Sequence, residues 1–216
     1  MMKTASSLER SLRYLLAWAP AVEAAKTALT QRSLPDAALH AGTLSFHART
    51  LLGEFTGSTA LMTGAIVGAP EYAMVRGFVE AATATLGTGS RRGDQALRTA
   101  LDVGRHPTMQ FALRGATVVS ASLGSRDVTS VLLHGALSIR GITRRVELPA
   151  TITRSAAITR VTSAFPLDLG DYAITRLSRL FGLLRVQPRI DVRVNLWFVD
   201  RLLEISDDAC AIARPA

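Results

Sequence analysis

The sequence predicts an all-β protein, an eight-stranded antiparallel up-and-down barrel with short helical lid segments and an N-terminal helix. From about residue 41, apolar and polar residues alternate with a period of two, the spacing of side chains along a half-buried strand. Gly, Pro, Asp and Ser separate the alternating segments, as turns require. Hydrophobic residues make up 48% of the 216, which is enough for a sizeable core.

The candidate strands are long and follow one another without large insertions. They cover residues 41–50, 55–67, 73–86, 108–121, 127–140, 144–154, 158–169 and 187–199. Short turns between strands favour an up-and-down meander, and closing it into a barrel removes the exposed edges that invite aggregation. A barrel of eight strands is just wide enough to be filled by side chains or to hold one slim ligand.

The strongest alternation predicts a β-hairpin over residues 127–140 and 144–154, with a tight turn at 141–143. The last strand, 187–199, repeats the pattern. Large apolar residues occupy every second position and define one inward face. The predicted inward residues are Met109, Phe111, Leu113, Val131, Leu133, Leu137, Ile139, Val146, Leu148, Ile152, Val192, Val194, Leu196 and Phe198.

Two segments between strands have helical spacing. Residues 93–103 contain Asp94, a candidate N-cap, followed by apolar residues on one side. Residues 174–184 place five apolar residues on one face: Ile174, Leu177, Leu180, Phe181 and Leu184. Both segments are predicted to pack as lids over an end of the barrel.

The sequence divides into residues 1–36, a barrel domain at 37–200 and a C-terminal tail at 201–216. Residues 1–36 are either a weak signal segment or, as the spacing favours, an amphipathic helix. Ser6 and Glu9 have capping-box spacing, and the helix could dock on the barrel or contact a membrane surface peripherally. The weakness of the signal pattern favours a cytoplasmic over a periplasmic location.

The charge pattern and the cysteine and histidine residues argue against nucleic-acid binding, metal binding and catalysis. The net charge is +8, but the arginines are scattered and no recognition helix is evident, which argues against a nucleic-acid partner. Cys210 is the only cysteine, and the four histidines show no metal-ligand spacing, so no metal is expected. No nucleophile elbow, phosphate-binding loop or dinucleotide fingerprint occurs, so no catalytic residue and no cofactor are predicted.

Three stretches carry a family resemblance. They are Thr88–Arg98 with the following residues to Phe111, the run Gly-Ala-Leu-Ser-Ile-Arg-Gly-Ile-Thr-Arg at 135–144, and Phe46 with Leu52–Gly57. Their order and spacing resemble the YceI-like family of lipocalin-type barrels over residues 40–199. Ala96 replaces a family histidine, and His106 replaces a family aromatic residue before Pro107.

The resemblance implies an elongated apolar pocket that binds and carries or sequesters a polyisoprenoid lipid, such as a prenyl quinone or prenyl phosphate. Many members are bacterial and periplasmic, and no common reaction is established for them. The inward residues would then contact the lipid. A core filled by side chains would show the same alternation, so the sequence leaves open whether the barrel is filled or hollow. Two other functions also stay open, a nucleic-acid-binding module and a cofactor-independent enzyme that acts on an isoprenoid. The chain could also form a homodimer. Arg91, Arg92, Arg176 and Arg179 lie in the loop and lid segments and are candidates for binding a lipid head group.

Overall fold

The computed structural model describes residues 34–50, 53–122, 127–174 and 186–200. Predictions for the N-terminal helix, the 201–216 tail and most of the 174–184 lid lie outside these residues. The strands are β1 (Ala37–Thr50), β2 (Gly53–Thr59), β3 (Met62–Val67), β4 (Arg76–Ala82), β5 (Thr108–Ser122), β6 (Asp127–Ile139), β7 (Ile142–Ser155), β8 (Ile158–Asp168) and β9 (Arg189–Asp200). One α-helix, α1 (Arg91–Leu101), lies between β4 and β5.

The strands form a closed antiparallel barrel, so the predicted fold class is confirmed. Consecutive strands from β3 to β9 pair with one another, and β1 pairs with both β3 and β9 to close a ring of eight. The closing ladder runs from Ala37↔Asp200 to His47↔Asp191. Strand β2 is an extra strand outside this ring. It pairs with the C-terminal half of β1, from Leu44↔Thr59 to Thr50↔Gly53.

The predicted strand 55–67 is in fact two strands, interrupted at Ala60 and Leu61. The Leu61 N–H donates to the Thr59 hydroxyl, and the Leu61 carbonyl accepts from the Ala82 N–H. The first bond is local to the break, and the second ties Leu61 to the end of β4, next to the Met62↔Ala81 pair. Strand β4 is also shorter than predicted, because short 3₁₀ turns at Tyr72–Met74 and Thr83–Thr85 flank it.

The β6–β7 hairpin has the predicted strands but a turn shifted by one residue. Ile139 pairs with Ile142, so Arg140 and Gly141 form a two-residue loop with φ of 52° and 74°. Two positive φ angles define the type I′ turn that suits the twist of a hairpin. Arginine rarely adopts a positive φ, and here its guanidinium donates to the Ala173 carbonyl, which helps to hold the turn.

Helix α1 begins two residues before the predicted start, because Ser90 rather than Asp94 is its N-cap. The Ser90 hydroxyl accepts from the Gly93 N–H, whereas the Asp94 carboxylate turns back to accept from the Thr88 N–H and hydroxyl. The helix ends at Leu101, and its C-cap Asp102 has a left-handed φ of 51°. Its buried residues include Leu97 and Leu101, which close one end of the barrel.

Candidate functional site

The barrel interior contains two adjoining cavities, which we name the first and the second chamber. The first chamber, of about 140 Å³, lies in the half of the barrel closed by α1. The second, of about 60 Å³, lies towards Leu34 and Tyr72. Five side chains line both chambers and form a waist between them: Val79, Phe111, Leu133, Val161 and Leu196. The interior is therefore elongated along the barrel and narrowed at the middle.

Both chambers are almost entirely apolar. Gln110 and Ser163 are the polar residues that line the first chamber, and the Ser163 hydroxyl donates to the Pro149 carbonyl at 2.7 Å. Tyr72 and the buried Thr159 contribute to the second. No charged residue of the described chain lines either chamber. A charged group placed inside would lose its hydration without gaining a partner, so the space suits an apolar guest.

Most of the predicted inward residues surround these chambers. The first chamber is lined by Met109, Leu137, Ile139, Leu148, Val192 and Val194. The second is lined by Leu113, Ile152 and Phe198. Phe111, Leu133 and Leu196 line both. Val131 is buried in the core but lines neither chamber, and Val146 is half-buried and also lines neither.

Sequence reasoning missed other lining residues. The first chamber is also bounded by Leu44, Phe46 and Ala48 of β1, Leu97 and Leu101 of α1, and Phe165 and Leu167 of β8. The alternation of Val161, Phe165 and Leu167 was available as a signal in β8, and Leu97 and Leu101 have the i, i+4 spacing of one helix face. Strand β1 gave a weaker signal because small residues occupy many of its positions.

Gly135 and Gly57 do not enlarge the interior. A Cβ atom on Gly135 would lie 2.5 Å from the Phe111 ring, so this ring already occupies the space beside the glycine. The ring of Phe46 covers Gly57 in the same way and packs edge-on against Phe55, with ring centroids 5.9 Å apart. At these positions the glycine serves close packing and leaves no room for a ligand.

The candidate head-group arginines are not gathered at the chambers. Arg91 and Arg92 are exposed in the first turn of α1 and line neither chamber, and Arg176 and Arg179 lie outside the described residues. A separate polar pocket of about 580 Å³ lies on the outer side of α1. It is lined by Gln95, Arg98, Thr99, Asp102, Val103, Gly104, Arg105 and Arg140. This grouping of three arginines was not predicted.

Two titratable groups near the α1 end are perturbed. Hydrogen bonds from the Thr88 N–H and hydroxyl, at 2.6 and 2.8 Å, hold the pKa of Asp94 below its usual value. Burial raises the pKa of Tyr172, and the neighbouring Asp171 carboxylate adds to that rise. Neither group lines a chamber.

The histidines of the described chain form no constellation with one another. His47 pairs with Glu54 at 2.8 Å, and His134 pairs with Glu147 at 3.3 Å on the outer surface. Within the described ranges, no group of three or more His, Cys, Asp or Glu side chains is arranged to hold a metal ion. No helix there has the length and hydropathy of a membrane span.

A closed antiparallel barrel around a narrow, uncharged interior defines the class of hydrophobic-pocket β-barrels. The family model of the YceI-like domain matches residues 36–198. The chain belongs to this family. Among curated proteins, none matches the chain.

Solved structures share the fold. The barrel is similar to a polyisoprenoid-binding domain from Saccharophagus degradans, with a TM-score of 0.65 and 15% identity over 77% of this chain and 99% of that one. It is also similar to BcnA from Burkholderia cenocepacia, with a TM-score of 0.61 and 13% identity over 72% and 95% of the two chains. At these identities the likeness establishes the architecture.

Proposed function

We propose that this protein binds a long apolar lipid of the polyisoprenoid type inside its barrel and carries or sequesters it without chemical change. The observation that carries the proposal is the two-chamber interior, which crosses the barrel and has no charged lining among the described residues. Each buried methylene contributes about 0.8 kcal/mol, so an isoprenoid tail gains affinity with every unit that enters. The binding activity of the Saccharophagus degradans domain supports this choice of ligand.

Binding a long tail requires the waist to open. The first chamber measures about 140 Å³, similar to an engineered cavity of about 150 Å³ that holds a single benzene ring. The waist residues Phe111 and Leu133 are only half-buried. Rotation of their side chains would join the chambers into one channel, and the apolar walls would exchange contacts with each other for contacts with the lipid.

The lipid's polar end belongs outside the chambers. A phosphate would lose its hydration in a space that contains no cationic side chain among the described residues. A quinone ring is uncharged and tolerates partial burial. We therefore propose a prenyl quinone or a prenyl phosphate, with the tail in the barrel and the head group at its surface.

The proposal of a binding protein rather than an enzyme rests on the lining. General acid–base catalysis needs a titratable group within hydrogen-bond reach of the reacting atom. The described lining contains no Asp, Glu, His, Lys or Cys, and its one titratable side chain, Tyr72 of the second chamber, has no second such group beside it in the lining.

A matched pair of substitutions tests the function. Leu133 lines both chambers, whereas its neighbour Leu132 lines neither. Native mass spectrometry of the purified chain should detect a co-purified lipid, and a delipidated sample should bind a prenyl quinone or prenyl phosphate in a titration. L133Q should weaken binding at least about tenfold, equivalent to about 1.4 kcal/mol, because an amide enters the apolar waist.

L132Q, the control, should bind within about twofold of the wild type, because its amide stays out of the chambers. Circular dichroism should show that both variants keep the barrel. A wild-type chain that carries no lipid and takes up neither prenyl compound would contradict the proposed function. Equal binding by L133Q and the wild type would contradict the assignment of the chambers as its site.

A further inference from the structure

The hydrogen-bonded wall of the barrel has gaps, and the one between β7 and β8 borders the first chamber. The β1–β3 ladder is also short, with pairs only at Ala37↔Ile66 and Ala38↔Ala65, but β2 takes over as the neighbour of β1 from Leu44. The β6–β7 ladder extends over the whole hairpin, from Asp127↔Arg154 to Ile139↔Ile142, and the β8–β9 ladder is equally complete. By contrast, β7 and β8 pair only from Ala150↔Ser163 to Ser155↔Ile158. Beyond this point residues 142–149 of β7 and 164–168 of β8 are not paired with each other. We name the gap between these two stretches the side opening.

The edges of the side opening are well defined. At the limit next to the last β7–β8 pair, the Ser163 hydroxyl donates to the Pro149 carbonyl at 2.7 Å. Pro149 and Pro166 lie on the two separated stretches, and neither has an N–H to donate to a ladder. At the opposite limit, next to the β6–β7 turn, Arg144 donates to the Asp171 carbonyl at 3.2 Å, and Arg140 donates to the Ala173 carbonyl. Side-chain bonds therefore replace the ladder at both limits.

The side opening leads into the first chamber. Leu148 of β7 and Phe165 and Leu167 of β8 line that chamber. Phe165 and Leu167 are nevertheless only half-buried, and so is Val146, which shares the inward face with Leu148. Half-burial is shared by other lining residues such as Val194, so it is the missing ladder beside Leu148, Phe165 and Leu167 that marks the gap in the chamber wall.

Buried side chains also lie at the two ends of the barrel. Buried residues of α1 and its flanking loops, including Leu86, Leu97 and Leu101, close one end. Leu34, Tyr72 and Val75 are buried at the other. Two apolar side chains near that second end are exposed. Phe78, which lines the second chamber, is 42% exposed, and Val118, which lies opposite Val131 on the inward face, is 40% exposed.

We propose that the side opening is the portal through which the lipid tail passes between solvent or a membrane and the first chamber. This inference rests on the proposed function and adds the route by which its ligand moves. Arg144 and Arg145 lie along the β7 edge of the portal, and the side chain of Arg145 has no hydrogen bond or ion pair with any described residue. A polar head group that stays outside therefore meets cationic donors at the rim.

A portal residue changes rates more than affinity, and this distinguishes it from a pocket residue. Obstructing the route raises the barrier for uptake and release equally, so the ratio of the two rates stays constant. The probe is a farnesyl chain carrying a fluorescent dansyl group. Rapid mixing measures the rate of its uptake, and dilution of the complex measures the rate of its release. V146W should slow both rates at least about fivefold while changing Kd less than about twofold.

V118W is the matched control, since it places the same large ring on an inward position near the far end, where Val118 is 40% exposed. Its two rates should equal those of the wild type. A second pair avoids any effect on folding: V146C and V118C, each combined with C210S, are folded first and then modified with a bulky maleimide. Modification should slow exchange in the V146C protein alone.

The outcomes separate the two proposals. A wild-type chain that does not bind the probe overturns the proposed function, and the portal with it. Normal binding combined with unaltered rates in V146W and in modified V146C overturns the portal alone. Slowed exchange in the Val118 variants, with none in the Val146 variants, overturns it in favour of the far end.

Discussion

Phe111 and Gly135 lie side by side on neighbouring strands at the waist of the interior, and their fit controls how far the two chambers are separated. The Phe111 ring lies over the glycine, where a Cβ atom would approach both the ring and the Ala112 carbonyl at 2.5 Å. Aromatic rings that cover a glycine on a neighbouring strand are a recognised way of stabilising that position in a sheet. The glycine thus lets Phe111 lie flat against the wall.

G135A is expected to lower the free energy of unfolding by about 1–3 kcal/mol, because the added methyl group overpacks a site bounded by backbone as well as by a ring. Urea denaturation measures the change. G104A is the control, since no atom lies within 4 Å of a Cβ at Gly104. Equal stability of G135A and the wild type would show that Phe111 moves away without cost.

Asp94 links the loop before α1 to the helix, and its protonation should weaken that link. The hydrogen bonds from Thr88 lower the pKa of Asp94 in the folded chain. A lowered folded-state pKa gives stability that is present above the ordinary value, about 3.9, and is lost as the pH falls through the folded value.

We expect D94N to reduce the loss of stability on acidification below about pH 4, the ordinary range of an aspartate. At neutral pH the urea midpoint of the wild type should therefore be higher than that of D94N. The two midpoints should converge as the pH is lowered. E71Q serves as the control. It removes an exposed carboxylate that makes no hydrogen bond or ion pair within the described chain. Parallel pH curves for wild type and D94N would contradict the role of Asp94.

At the scale of elements, α1 closes the barrel with one apolar face. Leu97, Ala100 and Leu101 are buried, while Arg98 and Thr99 are exposed and border the outer polar pocket. The helix is amphipathic, so its packing on the barrel contributes more to its stability than its own propensity. The first chamber therefore exists partly because this helix covers it.

L101A should lower the free energy of unfolding by about 2–5 kcal/mol, because it removes buried methyl groups and leaves a cavity beside the first chamber. R98A, on the exposed face of the same helix, should change stability by less than about 0.5 kcal/mol. Chemical denaturation of both variants checks the difference. A similar loss in both would indicate that α1 packs through its outer face.

Strand pairing shows a second feature of the elements. Closure of the ring through β1 and β9 is complete over most of β1, whereas β7 and β8 separate halfway along. The alternation of apolar residues continues through the separated stretches, because Val146, Leu148, Phe165 and Leu167 still face inward. Side-chain patterning thus persists where the backbone ladder does not.

For the whole molecule, a ligand that binds only the folded barrel must stabilise it by mass action. At a free concentration of a hundred times Kd the gain is about 2.7 kcal/mol. For a chain of this size, each kcal/mol raises Tm by about 2–4 °C. Saturation with a prenyl quinone is therefore expected to raise Tm by about 5–10 °C.

Differential scanning calorimetry with and without the quinone measures this shift. L133Q should show a much smaller shift at the same quinone concentration, because its Kd is weaker. An unchanged Tm for the wild type at saturation would mean that the quinone binds the unfolded chain equally well or does not enter the barrel.

The sequence alone determined most of the strands, their inward faces and the antiparallel barrel, although it merged β2 with β3. It could do so because side chains alternate along a strand, so burial on one face leaves a period of two in residues such as Leu133, Leu148 and Leu196. The same local chemistry located the helix before β5, although Ser90 rather than Asp94 caps it.

Only the tertiary structure decided whether those inward faces enclose space. Val131 and Leu133 have the same pattern in the sequence, but one packs into the solid core and the other lines both chambers. The waist at Phe111, the break between β2 and β3 and the separation of β7 from β8 likewise depend on contacts between residues far apart in the chain. Alternation specifies which side of a strand is buried, but the volume left inside depends on how all the strands meet.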